Sequence, residues 1–239
     1  MRDLSADPTL RLAARGLGRT YDTGSGPFEA LRDASLEVRS GEFIAVTGRS
    51  GSGKSTLINL LSGLDRASRG SIWSTADGGT DVTALDEEGL ARWRGRSVGI
   101  VFQFFQLLPA LSVLENTMMP MDLCNMHPRS ERRDRAMALL ADLGIEAHAD
   151  KLPLDMSGGQ QQRAAIARAL ANDPAILFAD EPTGNLDTAS GAVVMEMFAG
   201  LCARGKSVVM VTHDQDLAPH FTRTITLEDG RILETEAAQ

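Results

Sequence analysis

The segment Gly48-Arg49-Ser50-Gly51-Ser52-Gly53-Lys54-Ser55-Thr56 constrains the fold of this chain more than any other part of its sequence. A short apolar run at 42–47 precedes it, and leucines and isoleucine at helical spacing follow it at 55–64. A strand, a glycine turn and a helix in this order let consecutive backbone N–H groups surround an anion, with the helix dipole directed at the same charge. The spacing therefore predicts a phosphate-binding loop in an α/β domain.

Each fixed position of this loop has an expected role at a bound nucleotide. Lys54 is expected to place its charge on the β- and γ-phosphates, and Ser55 to offer its hydroxyl to Mg²⁺. A glycine-rich turn that caps a helix by chance is the alternative. Such a loop alone does not distinguish kinases, GTPases, recombinases and transport ATPases. The predicted nucleotide contacts are Gly48, Arg49, Ser50, Gly51, Ser52, Gly53, Lys54, Ser55 and Thr56.

The composition is that of one globular domain, 1–239. It is 43% hydrophobic and 23% charged, which provides enough apolar material for a sizeable core. The net charge of -8 argues against a nucleic-acid surface, so DNA and RNA are not expected partners. The amino terminus lacks a signal-peptide pattern, and Pro109 and Asp122 interrupt the most apolar stretch, so we expect no direct lipid insertion. Cys124 and Cys202 are predicted to be core cysteines.

The rest of the chain alternates strand and helix patterns. Partial alternation at 10–21 and 31–38 predicts two antiparallel strands with a turn at 22–27. The pattern is helical at 112–143, which predicts a helical subdomain, at about 104–160, inserted into a mostly parallel sheet. The remaining predicted elements are strands at 98–102, 175–179 and 207–212, helices at 157–171 and 188–203, a hairpin at 224–233 around Asp229 and Gly230, and a frayed tail at 234–239.

A second glycine pair begins the helix predicted at 157–171. Ser157 followed by Gln160 fits a capping box, and Ser157, Gly158 and Gly159 would expose a hydroxyl and two backbone amides. This is a second anion site without its own lysine, so one chain carries two half-sites for phosphate. Capping of the helix is the simpler interpretation, and the same donors serve both roles.

The segment Met156-Ser157-Gly158-Gly159-Gln160-Gln161-Gln162-Arg163 resembles the signature motif of ABC ATPases. The phosphate loop, an Asp-Glu pair at Asp180 and Glu181, and a lone histidine at His213 follow the order and spacing of that family across nearly the whole chain. The resemblance implies a head-to-tail homodimer. Each complete ATP site would combine the phosphate loop of one copy with Ser157, Gly158, Gly159 and Gln160 of the other.

The same resemblance implies roles for single residues. Asp180 would hold Mg²⁺, and Glu181 would be the general base that polarises the attacking water. Because successive strand side chains point opposite ways, the two acids need not share one role. His213 would contact the γ-phosphate and hold the water in line. Gln103 would reach Mg²⁺ or water on one side and a transmembrane partner on the other, and Asp187 would relay between the two sites.

Several positions are less determined by their pattern. Tyr21 lies where the family places an aromatic that stacks on adenine, although a strand tyrosine packed on the sheet is the alternative. Arg49 stands where proline is frequent and is expected to be exposed. Met156 replaces the usual leucine with little change in volume. The histidines predicted to be structural or solvated are His127, His148 and His220.

The segments at 101–109 and 111–116 resemble the branch of lipoprotein-releasing, macrolide-exporting and cell-division ABC ATPases. This implies an integral membrane permease with few spans and a large extracytoplasmic domain, with this chain held at the cytoplasmic face of the plasma (inner) membrane. The complex would export or extract lipid-linked, peptide or drug-like cargo, or would activate an extracytoplasmic enzyme or sensor without transport. Either core filling or an adaptable groove for the permease would account for Met118, Met119, Met121 and Met126.

Overall fold

The computed structural model describes residues 7–76 and 78–237. The first sheet is antiparallel and begins with a long hairpin, β1 (Leu10–Thr23) and β2 (Gly26–Arg39). Two further strands, β4 (Arg69–Ser74) and β5 (Thr80–Asp81), extend it in the order β2-β1-β4-β5. This is the antiparallel subdomain that the sequence predicts.

A second sheet of six strands forms the centre of the molecule, in the order β10-β9-β3-β8-β7-β6. All its neighbouring pairs are parallel except β9 with β10. Every residue of β8 is buried, as expected for a parallel strand covered on both faces. The strands are β3 (Phe43–Thr47), β6 (Val98–Val101), β7 (Ile176–Asp180), β8 (Ser207–Val211), β9 (Arg223–Glu228) and β10 (Arg231–Ala237).

Helices cover the central sheet. Short 3₁₀ turns at Glu146–His148 and Pro153–Asp155 lead into the helix that carries the Ser-Gly-Gly-Gln segment. The helices are α1 (Lys54–Leu61), α2 (Glu87–Ser97), α3 (Val113–Cys124), α4 (Arg129–Asp142), α5 (Gly158–Leu170) and α6 (Thr188–Ala203).

The core consists of two apolar layers, one on each face of the central sheet. Alternation along β3 divides its side chains between them: Phe43 and Ala45 pack with α3 to α6, whereas Ile44 and Val46 pack with the antiparallel sheet, α1 and α2. Each layer is therefore continuous with one face of the sheet that carries the phosphate loop.

Several predicted boundaries were wrong for local reasons. The β1–β2 turn is only two residues, Gly24 and Ser25, because the strands continue through most of 22–27. The helix predicted at 55–64 ends at Leu61, before the left-handed Gly63. The helical pattern predicted at 112–143 is confirmed and consists of two helices, which the left-handed Asn125 separates. The prediction of a frayed tail at 234–239 was wrong for 234–237, which belong to β10. Residues 238–239 lie outside the described residues.

Candidate nucleotide site and its partner surfaces

The phosphate loop connects β3 to α1, and its shape depends on two glycines. Gly48 has φ 141° and Gly53 has φ 104°, backbone conformations that favour glycine. A Cβ on Gly48 would lie 2.2 Å from the Leu227 carbonyl oxygen, and one on Gly53 would lie 2.6 Å from that of Ala30. The loop therefore packs directly against β9 and β2, and neither position accepts a side chain.

The loop borders a cavity of about 440 Å³, a size that suits a small-molecule ligand. Lys54 donates from Nζ to the carbonyl oxygens of Gly48 (2.8 Å) and Arg49 (2.9 Å), which anchors its ammonium at the loop. Arg49 is exposed, as expected, and does not line the cavity; neither does Ser52, which is buried. The loop residues that line the cavity are Gly48, Ser50, Gly51, Gly53, Lys54, Ser55 and Thr56.

Asp180 ends β7 beside the loop. The Ser55 hydroxyl and the Lys54 ammonium both act on its carboxylate. Burial raises the pKa of Asp180 and Glu181 raises it further, while Ser55 and Lys54 act to lower it. A partly buried carboxylate beside a hydroxyl is a suitable place for Mg²⁺, which binds proteins through one or two such oxygens together with substrate phosphates. These residues therefore fit the predicted ion.

Glu181 leaves the strand instead of continuing it. Its φ is 45°, and its N–H donates to the Val211 carbonyl oxygen at 3.0 Å. The expected strand alternation therefore does not extend from Asp180 to Glu181, and a left-handed turn separates the two acids. A non-glycine residue in a sparsely populated conformation costs roughly 1–3 kcal/mol, and such residues cluster at functional sites.

His213 and Gln103 both approach Glu181. His213 follows β8 and places Nδ1 3.2 Å from Glu181 Oε1. A Cβ added to Gly184 would lie 3.2 Å from Gln103 Nε2 and 3.6 Å from Glu181 Oε2, so the amide and the carboxylate both border Gly184. The glutamine, glutamate and histidine selected from the sequence are thus neighbours at the carboxyl ends of β6, β7 and β8.

The signature residues begin α5. Ser157 is exposed, and the predicted capping box is present: Gln160 N donates to Ser157 Oγ at 3.3 Å, and Ser157 N donates to Gln160 Oε1 at 3.0 Å. A Cβ on Gly159 would lie 2.8 Å from Ser190 Oγ. Gly159 therefore allows α5 to pack closely against the start of α6.

Asp187 caps α6. It accepts hydrogen bonds from Ser190 N at 2.9 Å and from Ser190 Oγ at 2.8 Å. The described residues that line the phosphate-loop cavity include neither Asp187 nor any of 157–160. Within one chain, the two halves of the predicted ATP site are therefore separate surfaces. The relay role of Asp187 stays a prediction.

Among the described residues, two with aromatic rings, Tyr21 and Phe28, border the cavity, and the sequence identified only Tyr21. Tyr21 donates from its hydroxyl to Asp65 Oδ2 at 2.7 Å, and the Arg19 guanidinium lies 4.6 Å from its ring centroid. Phe28 is opposite Tyr21 in the hairpin, lines the same cavity and is 54% exposed. The sequence analysis did not identify Phe28, although its position across a short turn from Tyr21 indicates that the two rings lie close together. Either ring is placed to contact a base.

A larger cleft of about 740 Å³ lies between α2, α3, α5 and β6. Its lining includes Met119 and Leu123, and Leu123 is 77% exposed. Positive charge is concentrated there on a chain whose net charge is -8. Because α2 was not predicted, the sequence did not locate this cleft. The arginines that line it are Arg92, Arg94, Arg96 and Arg168.

The methionine cluster and the cysteines divide between core and cleft. Met121 is fully buried and Met118 packs against the core, whereas Met119 lines the cleft. Cys202 is buried, and burial raises the pKa of its thiol to about 12. Cys124 is only partly buried and lines the cleft, so the prediction of a core cysteine was wrong for this residue.

The sequence is similar to those of known ABC transporter proteins over most of its length. The family model for ABC transporters matches residues 31–184. The lipoprotein-releasing system ATP-binding protein LolD of Aquifex aeolicus is 45% identical over 206 residues, 86% of this chain and 90% of that protein. The macrolide export ATP-binding/permease protein MacB of Rhodospirillum rubrum is 46% identical over 218 residues, 91% of this chain. This chain spans only 33% of that MacB.

Two solved structures extend the comparison. The dimeric structure of MJ0796, a bacterial ABC transporter cassette, has a TM-score of 0.86 and 38% identity, covering 95% of this chain and 99% of that chain. A dimeric post-hydrolysis state of MJ0796 bound to ADP and Pi has a TM-score of 0.87 with the same identity and coverage. The predicted fold class, a P-loop ATPase core with an antiparallel β subdomain and an inserted helical subdomain, is confirmed. The chain belongs to the ABC transporter family, as an ATP-binding subunit of the MacB and LolD type.

Proposed function

We propose that this chain hydrolyses ATP as one half of a head-to-tail homodimer and thereby drives a membrane permease. The observation that carries the proposal is the separation of two anion-binding surfaces on one chain, the phosphate-loop cavity and the start of α5. A two-fold arrangement of two copies would bring each surface onto the other and close two sites. The likeness to MJ0796 dimers, one of them bound to ADP and Pi, supports this arrangement.

The residues around the cavity divide the chemistry between them. The backbone N–H groups of the loop and the Lys54 ammonium hold and neutralise the phosphates. Ser55 and Asp180 would hold Mg²⁺, which supplies further charge stabilisation to the transferring phosphoryl group. Glu181 orients the attacking water and accepts its proton, while His213, 3.2 Å away, directs that carboxylate and contacts the γ-phosphate. Ser157 and Gly159 of the second copy complete the site around the same phosphate.

The cleft between α2, α3 and α5 is the proposed contact with the permease. Among the described residues, no helix has the length and apolar character needed to span a membrane. Met119 and Leu123 offer an adaptable apolar surface. Arg96 is exposed and makes no ion pair with another described residue, which favours an apolar segment that carries acidic side chains.

The permease would have few spans and a large extracytoplasmic domain, and it would hold this chain at the cytoplasmic face of the plasma membrane. The cargo would be lipid-linked, peptide or drug-like, in keeping with the lipoprotein-releasing and macrolide-export names of the relatives. Since the chain itself would contact the permease and a second copy of itself but not the cargo, its sequence would determine ATP hydrolysis and not the choice of cargo.

Purification from native membranes tests this function. The tagged chain is extracted with several mild detergents, and its partners are identified by mass spectrometry. We expect an integral membrane protein with few spans and a large external domain, and ATPase activity in the complex. Recovery of the chain alone from every detergent would contradict the proposal and would favour a soluble ABC ATPase.

A pair of charge reversals tests the cleft within the same experiment. Arg96→Glu should lower the recovered permease by about tenfold, because it places a negative charge against an acidic segment. Arg133→Glu changes an exposed arginine on α4 outside the cleft and should leave recovery unchanged. Equal recovery with both variants would exclude the cleft as the contact.

A further inference from the structure

His148, which the sequence predicts to be structural or solvated, lies against the signature segment. It ends the 3₁₀ turn Glu146–His148, and its ring Nε2 lies 2.9 Å from Nε2 of Gln160. Gln160 in turn makes the two capping hydrogen bonds with Ser157. A single chain of contacts therefore runs from His148 through the Gln160 amide to the first residue of the signature.

The capping bond fixes which way the Gln160 amide points. Ser157 N–H is only a donor, so the atom of Gln160 that faces it must be the carbonyl oxygen Oε1. The amide nitrogen of Gln160 therefore faces His148 and donates to it. His148 Nε2 must be the acceptor, which requires a neutral ring with its proton on Nδ1.

Packing alone does not explain a histidine at this position. Its Nδ1 is buried and has no hydrogen-bond partner among the described residues. A buried N–H without an acceptor destabilises the folded chain, whereas leucine would fill comparable space without that cost. The hydrogen bond with Gln160 offsets this cost and accounts for a histidine here.

We propose that His148 is a positioning residue for the second half of the ATP site. It acts through Gln160, whose amide is held at both ends, by His148 on one side and by Ser157 N–H on the other. An amide held at both ends keeps the Ser157 hydroxyl and the first amides of α5 in one arrangement. Because the segment is already ordered, dimerisation on ATP does not incur the entropy cost of ordering it. The proposal rests on the proposed function, because it assigns His148 to the head-to-tail site.

Three substitutions separate this role from simple packing. His148→Leu keeps the bulk and removes the acceptor. His148→Gln restores an acceptor, because its side-chain oxygen extends about as far from the backbone as the histidine Nε2. His148→Asn places its oxygen nearer the position of Nδ1 and should not restore the contact. Thermal unfolding of each variant shows whether the fold is intact.

The measurement is ATP-driven dimerisation in a Glu181→Gln background, which should hold ATP without turnover. Light scattering gives the ATP concentration at which half of the chain is dimeric, and a fluorescent ATP analogue gives the affinity of the monomer. We expect His148→Leu and His148→Asn to raise the half-dimerisation concentration about threefold to tenfold, the size of effect of one lost neutral hydrogen bond. Monomer affinity should stay unchanged, and His148→Gln should recover most of the loss.

Two outcomes would overturn the assignment. Equal behaviour of His148→Leu and His148→Gln would show that the hydrogen bond is irrelevant, and an equal loss of monomer affinity would show a general effect on the fold. Failure of the proposed function looks different. In that case the parent Glu181→Gln chain would bind the ATP analogue and remain monomeric before any change at His148, which would remove the role of His148 as well.

Discussion

At the scale of single residues, Glu181 combines an unusual backbone with a contact to His213. Its φ of 45° and its hydrogen bond to the end of β8 set the carboxylate beside the phosphate-loop cavity. Asp180, one residue earlier, remains in the strand beside Ser55. The two acids are therefore placed differently, which suits the proposed division of roles between Glu181 at the attacking water and Asp180 at the metal.

The first prediction concerns the general base. Glu181→Gln should lower kcat by about 10² to 10⁴ and leave ATP binding intact, because the amide keeps the shape but cannot accept the proton. Phosphate release and nucleotide affinity are the two measurements. Glu196→Gln changes an exposed acid on α6 and serves as the matched control. Turnover by Glu181→Gln at the rate of that control would exclude Glu181 as the base.

The second prediction concerns Asp180. Burial raises its pKa, so folding at neutral pH holds a charged carboxylate in a place that disfavours it. That cost is absent below the pKa that the carboxyl has in the unfolded chain, grows as pH rises to the higher pKa of the folded chain, and stays constant above it. Asp180→Asn should therefore raise the Tm of the nucleotide-free chain at pH 7 while reducing the further rise on addition of Mg²⁺ and ATP. A lower Tm for the variant without nucleotide would contradict this account.

At the scale of elements, the β1–β2 hairpin is held by a charged cluster. Glu37 on β2 pairs with Arg15 on β1 and with Arg39 on its own strand. Arg223 joins the hairpin to the central sheet, donating to the Glu37 carbonyl oxygen at 2.5 Å and to Glu42 Oε2 at 3.1 Å. The antiparallel layer that borders the nucleotide cavity is thereby connected to β9.

The third prediction follows from the pKa of Glu37. The hydrogen bond from Arg15 lowers that pKa below 4.5, the value it takes in the absence of such partners. The stabilising contribution is then fully present above pH 4.5 and is lost as pH falls through the lower pKa of the folded state. Glu37→Gln should lower the Tm at pH 7, and the difference from the parent chain should shrink as the pH falls below 4.5. A difference that stays constant down to pH 3 would contradict the assignment, and Glu196→Gln again serves as control.

The sequence predicted the elements whose signals are local. The phosphate loop, the capping box at Ser157 and the buried strands each follow from spacing within about a dozen residues. Helix α2 also had a local signal that was missed: Asp86 caps it, and Leu90 and Trp93 lie buried on one face. Its many charged residues obscured that pattern.

Other features could not be read from local spacing. Arg168 on α5 donates to the carbonyl oxygens of Phe105 and Gln106, at sequence separations of 63 and 62. Both of these residues have positive φ, at 60° and 54°, in a turn where glycine would be expected. A distant guanidinium therefore contributes to the stability of this turn. The contact between His148 and Gln160 was missed for a related reason, since a lone histidine carries no spacing pattern.

At the scale of the whole molecule, the two faces of the chain carry different contacts. The phosphate-loop cavity and the start of α5 are the proposed surfaces for a second copy, and the cleft beside α2 is the proposed surface for a permease. Helix α5 reaches both surfaces, because it begins with the signature and Arg168 in its last turn lines the cleft. The two proposed surfaces are therefore joined by one helix.

The most direct test of the central claim is the mass of the Glu181→Gln chain in solution, measured by light scattering with and without ATP. We predict a monomer without nucleotide and a dimer with two bound ATP molecules when ATP is saturating. Ser157→Arg in the same background should bind ATP through its intact phosphate loop yet remain monomeric. A chain that stays monomeric at saturating ATP, or a Ser157→Arg variant that dimerises equally well, would contradict a site shared between two copies.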